Sequence, residues 1–162
     1  AGRIVEILVE ENDTVDVGTP IAVIETDVTA EAGLSGLPPP YQAAWADYNR
    51  DGALDLVSGG KLFQNSAREG AWLGVRLQGD ETTVNRAAIG AQVRIRIGTQ
   101  VHTRHVEAGT GEGNQNDLTL HLGLGAHQGP VDVEILWPNK SRQTVTNVAT
   151  GQVVTYTYGT DP

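Results

Sequence analysis

Residues 91–97 read Ala-Gln-Val-Arg-Ile-Arg-Ile, so Val93, Ile95 and Ile97 fall on one face of an extended chain and Arg94 and Arg96 on the other. Side chains alternate across a strand, so a period of two is the signature of a half-buried β-strand and cannot be laid on one face of a helix. Further β-rich runs occur at short intervals: 72–77, 101–106, 118–122, 131–137 and 153–158. The 20 glycines and 7 prolines supply the turns between them. No stretch has a convincing amphipathic helical period. Such a chain is expected to be all-β, a sandwich or barrel, with an antiparallel β-sandwich the favoured form. Its 162 residues suffice for one ordinary domain, or a domain with an appendage.

Charge and composition remove whole classes of function. The formal net charge is -9, with only 11 Lys and Arg. A nucleic-acid binder needs a basic patch to neutralise phosphates, and an anionic membrane surface asks for the same, so neither partner is expected. No apolar run reaches the ~18–20 residues of a membrane helix, so no membrane insertion is expected. With no cysteine, disulfides, thiol catalysis and zinc-thiolate sites are excluded. The chain starts at Ala1 and has no methionine, so a mature or excised fragment is expected, with any signal peptide lying outside this sequence.

The chain divides by composition. Residues 1–32 contain two apolar runs, Ile4-Val5-Glu6-Ile7-Leu8-Val9 and Pro20-Ile21-Ala22-Val23-Ile24. They read as an N-terminal β-hairpin arm of two or three strands. Residues 33–40 form a Gly/Pro linker ending in Pro38-Pro39-Pro40, which favours a stiff polyproline spacer. Residues 41–66 hold an acidic loop and a short apolar strand, and residues 67–160 hold the run of strands.

The acidic loop carries the one strong motif. In Asp47-Tyr48-Asn49-Arg50-Asp51-Gly52-Ala53-Leu54-Asp55, oxygen side chains stand at positions 1, 3, 5 and 9, and glycine at 6. Calcium takes ~6–8 hard oxygen ligands, and short side chains at alternate loop positions can turn inward onto one centre. Asp47, Asn49, Asp51 and Asp55, with the backbone carbonyl of Ala53, are the expected ligands, and Gly52 permits the sharp turn. An EF-hand would need Glu at position 12, where Ser58 stands. An acidic solvated turn is the alternative, because Asp, Asn and Gly favour turns anyway.

Residues 41–65, with the loop succeeded by Leu62-Phe63-Gln64-Asn65, resemble an FG-GAP/VCBS-type repeat, the calcium-loop unit of many extracellular β-propellers. The remainder of the chain, to about residue 158, resembles the ASPIC/UnbV domain that often trails such repeats. The resemblance lies in Trp72-Leu73-Gly74-Val75-Arg76-Leu77-Gln78-Gly79, Asn85-Arg86-Ala87-Ala88-Ile89-Gly90, Leu120-His121-Leu122-Gly123-Leu124-Gly125 and Val133-Glu134-Ile135-Leu136-Trp137-Pro138. It implies a secreted or surface β-rich protein and offers no catalytic residues to carry over. A propeller needs several blades and this chain has at most one such repeat, so the loop must dock on the C-terminal sandwich or on another chain. Residues 2–27 resemble half of a lipoyl/biotinyl-type domain. The acceptor lysine is missing: Asp27 runs straight into Val28, and the only lysines are Lys61 and Lys140.

Other constellations are weaker. His102 and His105 are three apart, which puts them on opposite faces of a strand, so no transition-metal site is expected. No serine sits in a nucleophile elbow. A carboxylate pair such as Asp80 with Glu107 is of a kind any acidic β-protein offers. Residues 109–113 read as a flexible hairpin loop rather than a phosphate cradle. Trp45, Trp72 and Trp137 could form a sugar-stacking platform, but Trp72 and Trp137 lie within strand patterns and are expected in the core. The chain is thus expected to be a non-enzymatic, calcium-binding extracellular interaction or structural module with a protein partner. The alternative is a subunit of an extracellular homo-oligomer or filament assembled through the β arm.

Overall fold

The computed structural model describes residues 3–7, 22–25, 42–66, 70–111 and 113–160. The chain forms two compact units, Ala1–Pro38 and Pro39–Pro162. In the first, β1 (Arg3–Ile7) pairs antiparallel with β2 (Ala22–Glu25), Arg3 opposite Glu25, with a register shift between Ile4 and Glu6. The linker at 33–40 and most of the lipoyl-like segment lie outside the described residues.

The second unit contains every other strand, and no helix occurs among the described residues. β6 (Ala71–Gln78) lies between β12 (Gln152–Thr157) and β9 (Leu120–Gly125) in one sheet. The other sheet runs β11 (Arg142–Val148), β10 (Val131–Leu136), β7 (Gln92–Ile97), β8 (Gln100–His105). The alternation expected along residues 91–97 is present: Val93 and Ile95 are fully buried and Arg96 is exposed. Leu73, Val75 and Leu77 of β6, Leu120, Leu122 and Leu124 of β9, and Val131, Val133 and Ile135 of β10 join them in a single apolar cluster. The two sheets therefore enclose one core, and the domain is a β-sandwich.

Three features depart from the expectation. β12 runs parallel to β6, with Gln152 opposite Leu73, so this sheet is mixed rather than purely antiparallel. β11 and β12 belong to different sheets, so no hairpin dictates β12's direction. β11 itself went unread in the sequence. Its Arg-Gln-Thr-Val-Thr-Asn-Val run sits at a sheet edge, and it is mostly exposed or half-buried, so no apolar face had to be written into it. Finally, Trp137 joins the core, but Trp72 does not: it stands on the outer face of the β12–β6–β9 sheet with Gly74 and Arg76.

That outer face meets a third, smaller sheet. β3 (Ala43–Ala46), β4 (Asp55–Ser58) and β5 (Lys61–Phe63) pair antiparallel in chain order. The acidic loop joins β3 to β4.

Candidate functional site

Asn114, Asn116 and Asp117 of the connection from β8 to β9 sew β3 onto the sandwich. The Asn114 amide donates to the Ala43 carbonyl, and Asn116 Oδ1 accepts the Trp45 N–H at 3.0 Å. The Asp117 N–H donates to the Trp45 carbonyl at 3.0 Å. Short amide and carboxylate side chains readily bond nearby backbone, and here the habit fastens one sheet to another. Sequence reasoning read residues 109–113 as a flexible hairpin loop and gave residues 114–117 no role. Its Asn-Gln-Asn-Asp run was the available signal.

The acidic loop is folded by its own oxygens. Asp47 accepts the Asp51 N–H on Oδ1 at 3.0 Å and the Gly52 N–H on Oδ2 at 2.9 Å. Asn49 Oδ1 accepts the same Asp51 N–H at 3.2 Å, so oxygens from positions 1 and 3 converge on one donor. Asp51 accepts the Ala53 N–H at 3.0 Å and the Asn49 amide at 2.8 Å. Asp55, only 1% exposed, is turned to the two ends of the motif: it takes the Tyr48 N–H at 3.2 Å and the Asn65 N–H at 2.8 Å. The structure thus brings Asp47, Asn49 and Asp51 together, sets Asp55 beside them as the closure of the loop, and buries Ala53. Among the described residues no group of three or more His, Asp or Glu side chains is gathered tightly enough to hold a metal ion. Ser58, where an EF-hand would place its last ligand, is buried and donates to the Gln42 carbonyl at 2.9 Å.

The tip of the loop rests on Trp72 and His121. Gly52 has φ +93°, and a Cβ there would lie 2.1 Å from Trp72 Nε1. Glycine is therefore required twice, by the backbone angle and by the indole beneath it. The Trp72 and His121 rings stack with centroids 5.9 Å apart at 9°. His121 Nε2 lies 2.8 Å from the Gly52 carbonyl. A carbonyl can only accept, so the proton resides on Nε2. The sequence reading placed Trp72 in the core and gave His121 no role. Both look like ordinary strand positions until β6 and β9 pair with Gly74 opposite His121.

A cleft of about 460 Å³ remains between loop and sheet, lined by Tyr48, Arg50, Trp72, Arg76, Asp117 and His121 among others.

Residues 81–162, half of the chain, match the family described as ASPIC and UnbV. The chain belongs to that family. No curated protein matches the chain at a significant level. The ASPIC/UnbV segment contributes β7 to β12 and His121, whereas β6 with Trp72 and the acidic loop precede it. Near its start, Asp80 Oδ1 accepts the N–H groups of Thr82, Thr83 and Val84 at 3.2, 2.8 and 2.8 Å. The Val84 N–H, helped by the Thr82 hydroxyl and the Thr83 N–H, holds the Asp80 carboxyl well below the usual carboxylate range. Asp80 thus folds a turn. Asn85 does the same one step on, donating to the Ile89 carbonyl and accepting its N–H, both at 2.9 Å. As for the histidines of β8, His102 pairs with inward-facing Ile95 and His105 with Gln92 on the other face.

Proposed function

We propose that this chain is a calcium-binding, non-enzymatic extracellular interaction or structural module. In this reading, residues 41–66 are an FG-GAP/VCBS-type unit docked on the ASPIC/UnbV sandwich. One calcium ion would be held by Asp47, Asn49, Asp51, Asp55 and the Ala53 carbonyl. The observation that carries the reading is the convergence of Asp47 and Asn49 oxygens on a single N–H, inside a loop with three carboxylates. Each carboxylate oxygen engaged by an N–H keeps a further lone pair, so the donor set suits a hard cation. Calcium would neutralise repulsion among Asp47, Asp51 and Asp55 and fix a loop with little apolar burial of its own. Extracellular modules bind calcium at ~10⁻⁴–10⁻³ M, which fits a secreted or surface location.

The test is calorimetry with thermal melting. Calcium should give a binding heat and raise the melting temperature, chelation should reverse both, and magnesium should be weaker. Asp51→Ala should abolish the heat. Asp80→Ala should leave it intact while lowering overall stability, because Asp80 serves a turn elsewhere. No heat and no shift at millimolar calcium would sink the reading.

A second reading has its own observation. β1 and β2 form a two-stranded sheet, and an isolated two-stranded ribbon is marginal in water. The arm would then extend a sheet of another copy in a homo-oligomer. Sedimentation should show association of the full chain that deletion of residues 1–37 removes. A full chain that stays monomeric at high concentration rules this out.

A further inference from the structure

We infer that the cleft between the acidic loop and the outer face of the β12–β6–β9 sheet binds a neutral sugar, a pyranose unit of a glycan. The cleft, about 460 Å³, falls in the ~300–1,000 Å³ range of small-molecule sites. Its floor exists because Gly74 stands between Trp72 and Arg76 on the outer face of β6. A Cβ at Gly74 would lie 2.8 Å from Val153 Cγ2 and 3.4 Å from Thr119 Cγ2, so side chains of the flanking strands close over this glycine and form the floor. Trp72, covered by Gly52 and stacked on His121, closes one side of the cleft, and Tyr48, 54% exposed, offers its ring at the rim.

The polar groups select the ligand class. Arg76 and Asp117 form an ion pair at 3.2 Å, placing donors and an acceptor side by side. Thr119 and Thr155 add hydroxyls to the lining. The Arg50 guanidinium has no hydrogen-bond partner among the described residues and lines the cleft. Arg76 balances Asp117, and Arg50 balances the single negative charge that the loop's three carboxylates keep once a calcium ion is bound, so the cleft is close to neutral, within a chain of net charge -9. The field of the whole chain repels an anion, and a balanced cleft offers a cation nothing. A sugar ring meets these conditions together. Its hydroxyls both donate and accept, its C–H face lies on an aromatic ring, and it carries no charge.

The full chain, with calcium in excess, would be applied to a glycan array carrying neutral, uronate-containing and sulfated glycans. The neutral oligosaccharide giving the best signal would then be titrated by tryptophan fluorescence. Neutral glycans should bind and perturb the fluorescence. Arg76→Ala, and Thr155→Tyr from the exposed sheet face, should each weaken binding at least about tenfold, the loss of one good contact. Glu107→Gln should leave it unchanged. Circular dichroism keeps the test sound if a variant misfolds, because Thr155 lies outside the core. No glycan bound, acidic or sulfated glycans alone bound, peptides bound instead, or affinity indifferent to both substitutions would each overturn the inference. Arg50 and Tyr48 belong to the loop proposed to hold calcium, so the cleft's rim rests on that reading and its floor does not. Glycan binding without a calcium heat overturns the calcium reading alone, and a calcium heat without glycan binding overturns this one alone.

Discussion

In the sandwich, Leu73, Val75, Val93, Ile95, Val133 and Ile135 are all completely buried. In residues 42–66 the buried side chains are Ala53, Leu56, Asp55 and Ser58, while Trp45, Val57 and Leu62 are 42–51% exposed. One region is held by apolar area removed from water, at ~25 cal/mol per Å². The other is held by oxygens satisfying backbone N–H groups, each net contribution being ~0.5–1.5 kcal/mol. An apolar core is indifferent to ions. A hydrogen-bonded acidic loop is not, and its anchors on the sandwich, Gly52 on Trp72 and His121, join the two kinds of stability at one place.

The largest expected effect tests the sandwich side. Leu122→Ala, at a position 1% exposed, should cost ~2–5 kcal/mol in denaturant unfolding. Val57→Ala, 47% exposed, should stay within ~0.5 kcal/mol. Comparable losses would erase the contrast between the regions.

Next comes the junction. Gly52→Ala combines a strained φ with the 2.1 Å approach to Trp72, and strain of this kind costs ~1–3 kcal/mol. Hydrogen exchange should accelerate across residues 42–66 while the amides of β7 and β10 keep their protection. Loss of protection in both would mean that the two regions unfold as one. His121→Ala should act in the same direction and more weakly, ~0.5–1.5 kcal/mol for a lost hydrogen bond to a half-buried carbonyl, with the faster exchange again confined to the loop unit.

The smallest effect is on acid stability. The Asp80 carboxyl is depressed from its ordinary 3.8 in the folded chain. Its stabilising contribution is therefore fully present above about pH 4 and is lost as pH falls through the folded value. Asp80→Asn should be less stable near neutral pH and should lose less stability on acidification below pH 4. An acid profile identical to that of the parent chain would show that the 80–84 turn contributes nothing through this charge.

The sequence determined the class of fold, because a period of two with turns at short intervals leaves the apolar residues of 91–97, 118–124 and 131–137 only one way to be buried together. It also marked the loop, because oxygen side chains at alternate positions around a glycine are a local pattern. It could not show that β12 would lie parallel to β6, since strands on different sheets carry no local signal of direction. It misplaced Trp72 in the core and assigned no job to Gly74 or His121. Each is one residue of an outward-facing strand position, and becomes a wall, a floor or an anchor only when β6 pairs with β9 and the acidic loop folds back over them. Local periodicity is written in neighbouring residues, whereas a docking face is made of residues far apart in the chain, and only tertiary packing brings those together.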